Sequence, residues 1–143
     1  MTPHPYRYQA EYVDRSFDYD LSRREWYPVF GVFDQHGEAV GTLSLKRIDR
    51  EKHRCELGVT LRDDSCKGRG LGTAAVQEGI RIARTVYGVR VILADTTGSN
   101  RRMQHILEKL GFRLTERVEH ILDFGDHWED CLYYTLEVNT NDD

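Results

Sequence analysis

The stretch "CKGRGLGTAAV", Cys66 to Val76, decides how the rest of the chain is read. Three glycines, Gly68, Gly70 and Gly72, alternate through a basic loop that runs straight into helix-forming residues. Glycine is the poorest ordinary helix former, so its use here asks either for a sharp bend or for a bare backbone that a ligand can approach. A helix N-terminus offers unpaired N–H groups and the positive end of the helix dipole, both of which attract phosphate. Lys67 and Arg69 add positive charge, and without Cβ atoms in the way a pyrophosphate can lie against the backbone.

Two other readings of the loop stay open on these residues. One is a turn with no ligand. The other is a dinucleotide-binding fingerprint, with Asp95 as its acidic residue at a strand end. The spacing weighs against it: G-x-G-x-G replaces G-x-G-x-x-G, and "RDDSCK" separates the loop from the preceding strand. No GK[ST] of a Walker loop occurs.

Outward from the loop, the hydrophobic period changes. Upstream it is two: "YRYQAEY" (6–12), "YPVFGVFD" (27–34), "AVGTLSLKRID" (39–49) and "RCELGVTLR" (54–62) read as strands, the last three forming an antiparallel meander with a turn at "QHGE". The stretch 13–26 reads as irregular, with capping-box spacing between Ser22 and Glu25. Downstream of Gly70, Leu71, Ala75, Val76, Ile80, Ala83 and Tyr87 recur at helical spacing, and Gly88 marks the stop. "VRVILAD" (89–95) is an interior strand. "SNRRMQHILEKLGF" (99–112) is a second helix, capped by Asn100 or Ser99, with Met103, Ile106, Leu107 and Leu110 inward and Gly111 past its end. Strands near "RLTERVEHILDF" and "DCLYYTLEV" follow, joined by "GDHWE", and the tail 139–143 is expected to fray. The order β, link, βββ, α, β, α, ββ predicts a mixed α/β layer structure of α+β type.

Composition bounds the function. At 143 residues the chain is one domain by size, spanning 1–143. A net charge of -4 argues against general nucleic-acid binding. No apolar run is long enough to cross a bilayer and the start is polar, so a cytoplasmic protein without membrane association is expected. Cys55, Cys66 and Cys131 form no CxxC and the six histidines no HExxH, so neither a disulfide framework nor a metal site is expected.

The segments "CELGVTLRDDSCKGRGLGTAAVQEGIRIA" and "VILADTTGSNRRMQHILEKLGFRLTERV" resemble the GCN5-related N-acetyltransferase (GNAT) superfamily. Lys67-Gly68-Arg69-Gly70-Leu71-Gly72 matches Q/R-x-x-G-x-G/A with Lys in first place, and Asn100 with "EKLGF" matches the second signature. The resemblance covers about residues 27 to 138. It implies a mostly antiparallel mixed sheet with flanking helices and a site for acetyl-CoA. The pyrophosphate would rest on the amides of Gly68 to Thr73, and the pantetheine arm on the backbone of Thr60, Leu61 and Arg62, where the third meander strand would splay from "VRVILAD". Asn100 would contact the same molecule.

The activity implied is transfer of an acetyl group to a primary amine of a small molecule, peptide or protein. Such a transfer needs a general base. Glu56, in "CELGV", is the first expectation and Asp95 the alternative, since acids stand at both places in different branches of the family; either also reads as a strand-end carboxylate bound to backbone or Arg. Where many members carry a Tyr as general acid, this chain has Leu107. Tyr133 or Tyr134 would then serve, with Tyr134 the named candidate, and both also read as core packing. A non-catalytic acyl-CoA-binding domain is the alternative. The family's two helices between the first strands have only residues 13–26 here, so an open acceptor cleft, or one completed in a homodimer, is expected. Asp123, Asp126, Glu129 and Asp130 near the last hairpin would attract a cationic amine, or simply be a solvated turn.

Overall fold

The structure is a computed structural model that describes residues 6–7, of which the backbone alone, 27–62 and 70–138. Its elements are β1 (Tyr6–Arg7), β2 (Val29–Phe33), β3 (Ala39–Asp49), β4 (Arg54–Leu61), α1 (Leu71–Thr85), β5 (Val91–Thr97), α2 (Arg101–Lys109), β6 (Arg113–Asp123) and β7 (Trp128–Glu137). The strands form one sheet in the order β1-β2-β3-β4-β5-β7-β6. Only β4 and β5 run parallel; the other pairs are antiparallel. A dinucleotide-binding fold needs a largely parallel sheet, so that alternative fails, and the mixed α+β architecture stands.

Alternation along each strand sorts its residues between two faces. Leu43 and Leu45 of β3, Cys55 and Leu57 of β4, Ile92 and Ala94 of β5, and Leu132 and Tyr134 of β7 are buried together. Both helices cover that face. Ala75, Val76, Ile82 and Ala83 come from α1, and Ile106 and Leu107 from α2. Each large aliphatic side chain buried there contributes roughly 1.5–3 kcal/mol. Gly79 lets α1 sit close, because a Cβ at that position would lie 2.9 Å from Leu43 Cδ1 and nearer still to Leu57. Ser44, Lys46, Glu56, Asp95 and Tyr133 point away from the helices, onto the sheet's open face.

Several boundaries move relative to the sequence reading. β5 continues through Thr97. β7 begins at Trp128, so Trp128 and Glu129 join a strand instead of the turn. Ile82 is the buried isoleucine of α1, while Ile80 is half-buried. Of the expected first strand, Tyr6–Arg7 pairs with β2; positions 8–12, the Ser22/Glu25 turn and the tail 139–143 lie outside the described residues.

Candidate active site

β4 and β5 pair through Arg54/Val91, Cys55/Ile92 and Glu56/Leu93, and then part. Beyond Glu56 the edge of β4 that faces β5 has no strand register to fill, so its backbone groups can pair with an extended ligand. The gap forms a slot of about 310 Å³. Lys46, Gly58 and Asp95 stand toward its open-face mouth, and Val76, Met103 and Leu107 line its helical end. A second opening of about 460 Å³ adjoins it, lined by Leu61, Gly72 and the start of α2. Val59, Thr60, Asn100 and Met103 border both, so one long molecule can run from one into the other.

The start of α1 meets this second opening at Gly72. Gly70 is the N-cap of α1 at φ 78°, a left-handed conformation that suits glycine, and no side chain caps the helix. Ala74 N–H donates to the Gly70 carbonyl at 3.0 Å. The N–H groups of Leu71, Gly72 and Thr73 therefore have no intrahelical acceptor. A Cβ on Gly72 would lie 3.1 Å from Ile106 Cδ1 and would partly fill the opening. An uncapped helix start facing a cavity suits an anionic group such as a diphosphate. Lys67, Gly68 and Arg69 lie outside the described residues.

The remaining sequence candidates divide. Thr60 and Leu61 line the openings. Arg62 does not: its N–H donates to the Val40 carbonyl at 2.6 Å, and its guanidinium to Glu38 Oε1 at 3.1 Å and the Ala39 carbonyl at 3.2 Å. Asn100 borders both cavities while its Oδ1 accepts the Met103 N–H at 3.1 Å, capping α2.

The two candidate bases are treated differently. Glu56 Oε2 is held by Arg47 Nη1 at 2.6 Å and does not line the slot. A β-bulge after Lys46, with Arg47 at φ 49°, turns the Arg47 guanidinium onto the face that alternation would deny it. Asp95 does line the slot, and its carboxyl is raised above the usual range. Loss of water around it is the main cause and the negative charge of Glu56 the next, with Lys46 and Arg47 pulling the other way.

Strand alternation also separates the tyrosines. Tyr133 stands opposite Asp95 on the open face. Tyr134 turns to the helical face, is 1% exposed, and donates from its hydroxyl to Glu108 Oε2 at 3.0 Å. Burial first and Glu108 second hold its phenol above its ordinary value, which makes it a poorer proton donor.

A parted parallel strand pair beside an uncapped, glycine-started helix is the arrangement that the sequence resemblance implied. Residues 1–113 match the acetyltransferase (GNAT) domain family. The chain belongs to the GNAT family.

It is an acetyl-CoA-dependent N-acetyltransferase. The L-methionine sulfoximine/L-methionine sulfone acetyltransferase of Pseudomonas aeruginosa is 25% identical over 133 residues, 91% of this chain and 76% of that one. The [ribosomal protein uS5]-alanine N-acetyltransferase of Escherichia coli is 27% identical over 109 residues, 75% of this chain and 56% of the relative. In fold, the spermidine N-acetyltransferase from Vibrio cholerae in complex with CoA and spermine superimposes with a TM-score of 0.74 at 14% identity, covering 91% of this chain and 76% of that one.

The acidic hairpin of the acetyltransferase is internally engaged. Arg117 donates to Asp130 Oδ2 at 2.5 and 2.9 Å, and the His120 N–H to Asp130 Oδ1 at 3.0 Å. Asp123 accepts the Gly125 N–H at 2.8 Å. Glu129 Oε1 accepts the Ser99 N–H at 3.1 Å, while its Oε2 lies 2.8 Å from His127 Nε2; Asp126 Oδ1 lies 2.6 Å from His127 Nδ1. Of these acids Glu129 braces the loop before Asn100 through its side chain, and Asp130 through its backbone carbonyl, which accepts the Gly98 N–H, a long-range role that no spacing along the chain announces. Cys55 and Cys131 are buried free thiols, and burial pushes Cys55 up to about 12. Among the described residues no cluster of His, Cys, Asp and Glu is arranged to hold a metal. Among them, too, no helix is long and apolar enough to cross a membrane.

Proposed function

We propose that this acetyltransferase delivers the acetyl group to the primary amine of a small molecule or peptide by direct attack on the thioester, with Asp95 as general base. Acetyl-CoA enters as a substrate, its diphosphate against Leu71 to Thr73 and its pantetheine arm along Thr60 and Leu61. The acceptor approaches from the open face. Asp95 takes the proton from the ammonium, and the nitrogen lone pair attacks the carbonyl carbon. A C–N bond forms and the C–S bond breaks. The second amine proton leaves to solvent or to the departing thiolate, which is stable enough to leave without a dedicated acid. A backbone N–H of β4 beyond Glu56 is the natural donor to the oxyanion.

The observation that carries this reading is the slot itself, with Asp95 as the acid lining it and its carboxyl poised upward toward the working pH. Glu56, the sequence's first choice, serves here as the charge that tunes Asp95. Uses named for the relatives, an amino-acid analogue, a protein alanine and spermine, all supply an amine. On composition, the same reading takes the enzyme as cytoplasmic and metal-free, and the outer edge of β6, unpaired among the described residues, with exposed Ile121 on it and Phe124 and Trp128 beside it, supports a homodimer.

The test is thiol release from acetyl-CoA across a panel of amines, for wild type, Asp95→Asn and Glu56→Gln. Asp95→Asn is expected to lower kcat by roughly 10²–10⁴ and Glu56→Gln far less. The reverse order would return the base to Glu56, and equal, small losses would remove both.

A further inference from the structure

At its open-face mouth the slot carries two opposite charges. Lys46 and Asp95 both line it, one from β3 and the other from β5. Asp95 is accounted for by the amine. Lys46 tempers the rise of the Asp95 carboxyl, and acetyl transfer itself asks nothing more of it. It stands opposite Glu56 in the β3–β4 ladder, the obvious partner, yet Glu56 is taken by Arg47 at 2.6 Å. What Lys46 does have is the ring of Tyr27, 5.4 Å from its ammonium. A cation over an aromatic face is steadied in position; among the described residues no carboxylate forms an ion pair with it, and Asp95 acts on it only across the mouth.

We infer that the acceptor is an α-amino acid, its amine at Asp95 and its own carboxylate at Lys46. This rests on the acetyl-transfer reading above and names the substrate class for it. A zwitterion is complementary to a mouth of one cation and one anion, which adds both attraction and orientation. A polyamine would carry a second ammonium past Lys46, where like charges repel. A peptide N-terminus or an amide offers the amine but leaves Lys46 without its counter-charge. Arg47 does not substitute for Lys46, because its guanidinium is committed to Glu56.

The experiment offers acetyl-CoA with each of the twenty L-α-amino acids, their C-terminal amides, the corresponding decarboxylated amines, and spermidine, with thiol release as readout. At least one free amino acid should be turned over with a kcat/KM about tenfold or more above its amide and its decarboxylated amine. Lys46→Ala should raise KM for that amino acid roughly ten- to a hundredfold, leave KM for acetyl-CoA in place, and abolish the preference over the amide. Lys46→Arg should restore part of it. A wild-type preference for amides, decarboxylated amines or spermidine overturns the inference and leaves acetyl transfer standing, as does a Lys46→Ala enzyme that keeps the preference. Silence across the whole panel overturns the inference together with the proposal of a small-molecule acceptor.

Discussion

Arg47 holds Glu56 at 2.6 Å across the β3–β4 ladder, and that contact fixes the charge around Asp95 two residues beyond the last β4–β5 pair. Asp95 is raised by lost hydration and by Glu56, and lowered by Lys46 and Arg47. The ionised base is the active form, so kcat/KM should rise with pH through a limb above the ordinary aspartate value of 3.8. Glu56→Gln removes the raising charge and should move that limb to lower pH. Arg47→Ala removes a lowering charge and should move it higher. Opposite shifts in the two pH profiles are the signature, and shifts of one sign would mean another group controls the limb.

The two glycines at the start of α1 should fail in different ways. Gly70 sits at φ 78°, and a Cβ placed there would meet nothing within 4 Å, so Gly70→Ala brings only backbone strain. It should cost about 1–2 kcal/mol, seen as a lower Tm with cofactor-free protein. Gly72 has ordinary φ but faces Ile106 Cδ1 at 3.1 Å. Gly72→Val pushes into the opening where the diphosphate would lie, so its larger effect should be on CoA affinity, measured by calorimetry as a loss of about tenfold or more. If Gly72→Val binds CoA normally, the diphosphate lies elsewhere.

Tyr134→Phe should leave kcat within about twofold of wild type and cost about 1 kcal/mol of stability, the net worth of one hydrogen bond to Glu108. The hydroxyl is buried on the helical face and lines neither opening. A large fall in kcat with unchanged Tm would restore the role that the sequence suggested for it.

What the sequence made legible was local. The 39–49 strand, the Asn100 cap and the glycine start of α1 all follow from period, propensity or capping within a few residues. The resemblance supplied the parting of β4 from β5. The face of Tyr134 was also within reach, since Leu132, Tyr134 and Leu136 alternate as one apolar set. The bulge at Arg47 was not: strict alternation turns Arg47 away from Glu56, and only a left-handed φ of 49° brings it back. The closeness of α1 at Gly79 depends on Leu43 and Leu57, far away in the chain. Contacts of this kind are set by how sheet and helix meet, which no window of sequence contains.

The brace between the β6–β7 hairpin and the loop before α2 gives a last expectation. His127 lies between Asp126 and Glu129, with the Phe124 ring stacked on it at 5.5 Å. Hydrogen bonds to Asp126 first and Glu129 second raise its pKa above 6.5; the first also lowers the Asp126 carboxyl, while Glu129 is lowered by Ser99 first and by His127 after it. A raised histidine binds its proton more tightly in the folded protein. Its stabilisation is therefore fully present below the unfolded value of about 6.5 and is lost as pH rises through the folded one. The Tm gap between wild type and His127→Gln should be open at about pH 5.5–6 and should close above the raised pKa. Because Glu129 also accepts the Ser99 N–H beside Asn100, loosening the brace should reach the cofactor opening. KM for acetyl-CoA should rise a few-fold in Glu129→Gln with little change in kcat. A Tm gap that is flat across about pH 5.5–8.5 would show that His127 carries no charge-dependent load, and the loop would then owe its position to the Gly98 N–H, which donates to the Asp130 carbonyl at 3.0 Å.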